Sequence, residues 1–190
     1  MAAVDIADWD RRYREGFYDG APQPNPLLEK FWHAIPAGRV LDIAMGNGRN
    51  TLFLAEKGYD VWGIDRSPEA LRTARQIIVT RGARVSLVLG DAADLPFRHG
   101  SMTGVTVFYF LLRDRMNEVV ALLATGGVLI YETLLKRQNT VDKRRNPDHL
   151  LDDGELISYF GELDLLFYEE TISAVTGKKR ATAKYVGRKR

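Results

Sequence analysis

Twenty-six residues, VLDIAMGNGRNTLFLAEKGYDVWGID (Val40 to Asp65), constrain the fold more than any other stretch. An apolar run ends in a glycine-rich turn, a helical pattern follows, and a second apolar run ends in aspartate. Two buried strands joined through a helix must lie parallel, because a tight hairpin cannot connect them. The turn therefore opens at the carboxyl edge of a sheet, where α/β folds hold ligands.

The alternation continues. RVLDIA and YDVWGID read as strands one and two, with NTLFLAEKG as a helix between them. The next helix is SPEALRTARQIIVTRG, with Ser67 as N-cap, Pro68 at its first position and Gly82 at its end. ARVSLVLGD and GVTVFYF are strands three and four, RDRMNEVVALLA is a helix, and GGVLIYETL is strand five. After a loop holding NPDHLLDDG and a helix ELISYFGEL come LLFYEETISAVT and ATAKYVGRK, joined through GKKR; they read as an antiparallel hairpin. The fold class is α/β: one Rossmann-like domain with a mostly parallel seven-stranded sheet ending in an antiparallel hairpin, helices on both faces. Ahead of it, residues 1–36 read as a helical cap on a core of residues 37–190. Asp5 is the expected cap of a helix placing Ile6, Trp9, Tyr13 and Phe17 on one stripe, and Asn25 caps a second helix with Pro26 at its first position.

Composition removes several chemistries. With no cysteine among 190 residues, disulfides, thiolate metal sites and a cysteine nucleophile are excluded. His33, His99 and His149 lack metal-ligand spacing, so no protein-bound metal is expected. No run approaches the roughly 20 apolar residues of a membrane span, and the opening MAAVDIADWDRRY lacks the apolar stretch of a signal peptide. A cytoplasmic location is the simplest expectation. Residues 136–190 hold 12 Lys/Arg against 9 Asp/Glu, closer to a mixed-charge surface than to a nucleic-acid face.

Gly46 and Gly48 allow a sharp turn and close approach of a ligand. The dinucleotide pattern G-x-G-x-x-G fails at Thr51. Asp42, inside an apolar strand, needs a donor or a positive charge, and suits a ligand carrying ammonium or sulfonium better than a pyrophosphate. Asp65 ends strand two, where carboxylates accept from ribose hydroxyls, and Asp91 ends strand three.

This pattern resembles the class I S-adenosylmethionine-dependent methyltransferases over most of the chain. Their first motif is matched by DIAMGNG, with Ala44 in place of the first glycine. The resemblance implies S-adenosylmethionine as cofactor and S-adenosylhomocysteine as its product. Asp42 and the Gly46/Gly48 backbone would take the methionine part, Asp65 the ribose, and Asp91 with the Ala92 amide the adenine edge; Asn47 and Arg66 complete the set. GNGRNTLFLAEKGYDVWGID looks most like the small bacterial tellurite-resistance and thiopurine-type enzymes. That likeness includes Asn50 and an early Trp/Tyr segment, here Trp9 and Tyr13, which in such enzymes folds over the cofactor as a helical lid.

Methyl transfer from a sulfonium is an in-line displacement whose leaving group needs no acid, so positioning supplies much of the catalysis. Phe108 and Tyr109 end strand four at the methyl-transfer edge. His149 is the candidate base and substrate contact, and Arg113 the candidate partner for an anionic group. The expected partner is a small-molecule acceptor, without membrane or nucleic acid, and nothing in the pattern sets an oligomeric state. The alternatives are a nucleic-acid methyltransferase, disfavoured because FYFLLR stands where amino-methylating members carry Asn/Asp-Pro-Pro-aromatic; a nicotinamide oxidoreductase, disfavoured by Asp42 and the hairpin; and a non-catalytic nucleotide-binding module.

Overall fold

A computed structural model describes residues 6–16, 23–142, 145–175 and 178–190. Its sheet has seven strands: β1 (Arg39–Ile43), β2 (Asp60–Asp65), β3 (Val85–Leu89), β4 (Met102–Phe108), β5 (Leu123–Leu134), β6 (Leu163–Val175) and β7 (Lys178–Lys189). Their order across the sheet is β3-β2-β1-β4-β5-β7-β6. The first five run parallel, while β7 pairs antiparallel with both β5 and β6.

Both faces are covered, and β1 and β4 are accordingly buried almost without a break. On one face, α2 (Pro26–Phe31) and α3 (Arg49–Glu56) bring Leu27, Leu28 and Leu54 against Val40, Val61 and Ile130. On the other, α5 (Met116–Leu122) and α6 (Glu155–Ser158) bury Met116, Val120 and Leu156 against Leu41, Ile43 and Leu129. There Tyr131, Phe160 and Tyr185 are buried together, with ring centroids 6.0 Å apart for the first pair and 4.9 Å for the second. Such pairs add about 0.5–1.5 kcal/mol each beyond their burial. The helix α4 (Pro68–Thr80) packs Ala74 and Ile78 on Met45.

The caps form as their residue types dictate. The Asn25 side chain accepts from the Leu27 amide at 2.7 Å, and the Ser67 hydroxyl from the Ala70 amide at 3.1 Å. The first helix, α1 (Ile6–Arg14), packs on α4, where Asp10 accepts from the Ser67 hydroxyl and Arg14 lies 3.6 Å from Glu69. Asp5 and Phe17 lie outside the described residues.

Several boundaries differ from the sequence expectation. The helix expected over 113–124 is a 3-10 turn at Arg113–Arg115 followed by α5, and β5 begins at Leu123. Here the Arg113 side chain reaches sideways to Glu155 and to the carbonyls of Asp148 and Leu150. ELISYFGEL makes only the single turn of α6, because Phe160 turns inward to the core and Leu163 already pairs with Lys189. The second hairpin strand starts at Lys178 rather than Ala181. Among the described residues no helix is long and apolar enough to cross a membrane.

Candidate active site

Strand order reverses between β1 and β4, and at such a switch point the loops leaving neighbouring strands diverge to open a crevice. Each of those strands exits through a non-glycine residue in the left-handed region, Ala44 with φ 55° after β1 and Tyr109 with φ 56° after β4. Strain of this kind costs on the order of 1–3 kcal/mol per residue, persists only where the surroundings enforce it, and clusters at functional sites. Gly46 (φ 57°) and Gly48 (φ 77°) continue the first turn without that strain.

The glycine turn is tied to the end of β2. One Asp65 oxygen accepts from the Gly46 amide at 2.8 Å and the other from the Ser67 amide at 2.9 Å. Burial pushes the Asp65 carboxyl above the usual carboxylate range, opposed by those amides and by the Arg66 charge. A Cβ on Gly46 would stand 2.5 Å from the Tyr13 hydroxyl oxygen, so α1 carries Tyr13 directly over the turn. Trp9, on the same helix, is half-buried beneath the Arg12 guanidinium, 5.1 Å from its ring centroid. Asn47 and Arg66 are half-buried on the same rim. Asp91 is exposed beyond β3, where it accepts from the Ala93 amide at 2.9 Å, and Ala92 packs against the core.

Three residues that the sequence nominated as ligand contacts lie behind the crevice surface. Asp42 is 1% exposed; its oxygens accept from the hydroxyls of Thr51 at 2.6 Å and Thr106 at 2.9 Å, joining β1 to α3 and β4. Asn50 is buried and accepts the Asn25 amide at 2.8 Å. Phe108 fills the core under α2. In each case a neighbouring element takes up the group that the sequence left free for a ligand.

Arg113 is engaged by protein groups, and His149 is exposed. Arg113 donates to Glu155 at 2.5 Å and to the carbonyls of Asp148 and Leu150, each at 2.6 Å. Burial pushes the Glu155 carboxyl up, but Arg113 and the Tyr159 hydroxyl outweigh it and hold the carboxyl down to about 2. That guanidinium fastens a loop. His149 is exposed on the 3-10 turn of that loop, Pro147–His149. His99 is exposed beside Glu118, and His33 is exposed at the end of α2.

Sequence reasoning missed a second polar set. Glu132, 3% exposed, accepts from the Asn25 side-chain amide at 2.8 Å. Tyr109 hangs its backbone on the Glu132 carbonyl at 2.8 Å, and the guanidinium carbons of Arg180 and Arg49 lie 4.5 Å and 6.0 Å from its ring centroid. A carboxylate inside an apolar strand drew attention to Asp42, and the same signal stood at Glu132 in VLIYETL.

Asp42 gives a pH-dependent test. Burial pushes its pKa up to about 6, opposed by Thr51, Thr106 and the Arg49 charge. The native state thus holds the proton more tightly than the unfolded chain, whose Asp titrates near 4. The stability this group contributes is full below that value and lost as pH rises through 6, by about 3 kcal/mol. Asp42→Asn keeps the shape without the charge. Its melting temperature should therefore rise relative to the parent between pH 5 and 8 and converge with it at pH 4; a constant offset would uncouple Asp42 from the titration.

Residues 40–127 match the family described as a methyltransferase domain. The chain is similar to the class I S-adenosylmethionine-dependent methyltransferases over this stretch and in fold. It is 30% identical over 145 residues to the probable S-adenosyl-L-methionine-dependent methyltransferase TehB of Haemophilus influenzae, covering 70% of this chain and 49% of that protein. It is 34% identical over 99 residues to the demethylmenaquinone methyltransferase of Thermus thermophilus, covering 48% of this chain and 45% of that one. The chain spans about half the length of these relatives. The crystal structure of Haemophilus influenzae TehB superposes with a TM-score of 0.75 at 20% identity, over 95% of this chain and 67% of that one, and so shares the fold.

Proposed function

We propose that the protein transfers the methyl group of S-adenosylmethionine to a small-molecule acceptor by in-line displacement. The observation carrying this is the switch-point crevice, in which a glycine turn at β1 is bonded to a carboxylate at the end of β2 and faces a strained exit from β4. The Thermus relative, named for a quinone acceptor, supports a small acceptor.

The residues fit the cofactor. A carboxylate has about four lone-pair sites, and the two amides at Asp65 leave others for a ribose diol. The Gly46–Gly48 backbone offers close approach to the methionine part, Asp91 and the Ala92 amide an adenine edge, and Asn47 and Arg66 the rim. Trp9 and Tyr13 on α1 form a lid that excludes water. Asp42, Asn50 and Phe108 support the site from behind by fixing α3 and the ends of β1 and β4. Bound there, S-adenosylmethionine supplies a methyl on a sulfonium, which needs alignment more than acid catalysis.

Calorimetric titration with S-adenosylmethionine, S-adenosylhomocysteine and NADH in parallel tests the reading. Micromolar binding of both adenosyl ligands without NADH is expected. NADH binding alone, or no binding of either adenosyl ligand, would overturn it.

A further inference from the structure

We propose that Met45 is the positioning residue of the glycine turn: lodged in a notch over Gly63, its side chain holds Ala44 in the left-handed region and so sets the Gly46 and Gly48 amides for the cofactor. This rests on the methyltransferase reading and deepens it.

The turn is built around a side chain. Where β1 ends at Ile43, Ala44 turns left-handed with φ 55°, and Met45 enters the core, 4% exposed, against Ala74 and Ile78 of α4. The Met45 amide donates to the Ile64 carbonyl at 3.1 Å, and its carbonyl accepts from the Gly48 amide at 3.0 Å, which fixes the backbone on both sides of the side chain. The thioether lies against β2. A Cβ on Gly63 would collide with the Met45 Sδ and stand 3.2 Å from its Cε, so any larger residue at that position would close the notch. The same Cε would lie 3.2 Å from a Cβ on Gly48, the residue that opens α3 with φ 77°. One side chain therefore lies beneath the turn between β2, α4 and the start of α3.

The strain at Ala44 needs such a support. Alanine is disfavoured at φ 55° because its Cβ crowds the following carbonyl, and a strained residue persists only where its surroundings over-determine it. Burial of the Met45 side chain supplies that constraint, since the buried position is reached only if Ala44 turns left-handed. An unbranched thioether follows a shallow notch that a branched side chain would not fit. Out of the notch, nothing opposes the return of Ala44 to extended backbone, and the Gly46 amide leaves the Asp65 oxygen that accepts it at 2.8 Å.

Calorimetric affinity for S-adenosylhomocysteine, measured well below the melting temperature of each variant, tests this, and the thermal transition reports that each variant is folded. Gly63→Ala, which evicts the Met45 side chain, and Met45→Ala, which vacates the notch, should each weaken binding about tenfold, the effect of losing one hydrogen bond to a charged group. Because both act through one contact, the double variant should lose no more than the weaker-binding single, whereas independent roles would multiply to about 100-fold. Ala44→Gly removes the strain that Met45 opposes. It should raise affinity at least about threefold more in the Met45→Ala background than in the parent, a rescue that a packing role alone would not give. Met45→Val replaces Met45→Ala if that protein does not fold. Single variants that bind like the parent, losses that multiply, or no rescue by Ala44→Gly would overturn the proposal and leave the methyltransferase reading standing. Failure of the parent protein to bind S-adenosylhomocysteine would overturn both.

Discussion

Asp65→Ala is expected to weaken S-adenosylhomocysteine binding about 100-fold. Hydrogen bonds to a charged group are worth about 1.5–3 kcal/mol each, and a ribose diol makes two, so losing both removes about 3 kcal/mol after water fills the gap. The effect extends beyond the ligand, because the same carboxylate holds the Gly46 and Ser67 amides. Without it the glycine turn loses its tie to β2. Asp65→Asn retains an acceptor oxygen without the charge and is expected to lose only about tenfold, by the same reckoning. Calorimetric titration measures both, and thermal unfolding controls for the fold. Unchanged affinity in a folded Asp65→Ala protein would remove Asp65 from the binding site.

The second large effect is on stability. Asn25 is fully buried and makes three connections: its amide to Asn50, its side-chain oxygen to the Leu27 amide and its side-chain nitrogen to Glu132. Asn25→Ala removes an N-cap worth about 1 kcal/mol and strips the buried Glu132 carboxylate of a donor, which adds about 2–3 kcal/mol. The melting temperature should fall by about 10 °C, since 1 kcal/mol shifts a chain of this size by roughly 2–4 °C. Asn25→Asp separates the two contributions. It keeps the cap but sets a second carboxylate beside Glu132; the two like charges repel once ionised, so its deficit should grow as pH rises through the carboxylate range. A scan of melting temperature against pH reads this directly, and an Asn25→Asp protein that matches the parent at every pH would mean that the Glu132 bond contributes nothing.

The parts of the molecule legible in the sequence are those set by local rules. Asn25-Pro26 and Ser67-Pro68 announce helix starts because the cap is made within three residues, and both form as read. Alternation of strands and helices fixed the parallel sheet, and two runs around GKKR the hairpin. Where one residue depends on distant ones, the sequence is silent. The Thr106 hydroxyl that donates to Asp42 comes from 64 residues away, and no local pattern announces it. Nothing near Arg113 foretells Glu155, 42 residues on. Arg49 and Arg180 each approach the ring of Tyr109 from positions separated by most of the core, and no periodicity encodes that meeting.

The place of β7 in the sheet has a consequence for assembly. Because β7 lies between β5 and β6, the edge strand β6 has no neighbour until its own hairpin partner is present. A hairpin forms within about 1–10 μs from contacts close in sequence, whereas joining it to β5 closes a longer loop and is slower. The parallel half, with the glycine turn and Asp65, can therefore take shape first, and the wall bearing Arg180 is added in a single docking step. Folding intermediates that lack this step would already hold the floor of the crevice while one of its walls is still missing.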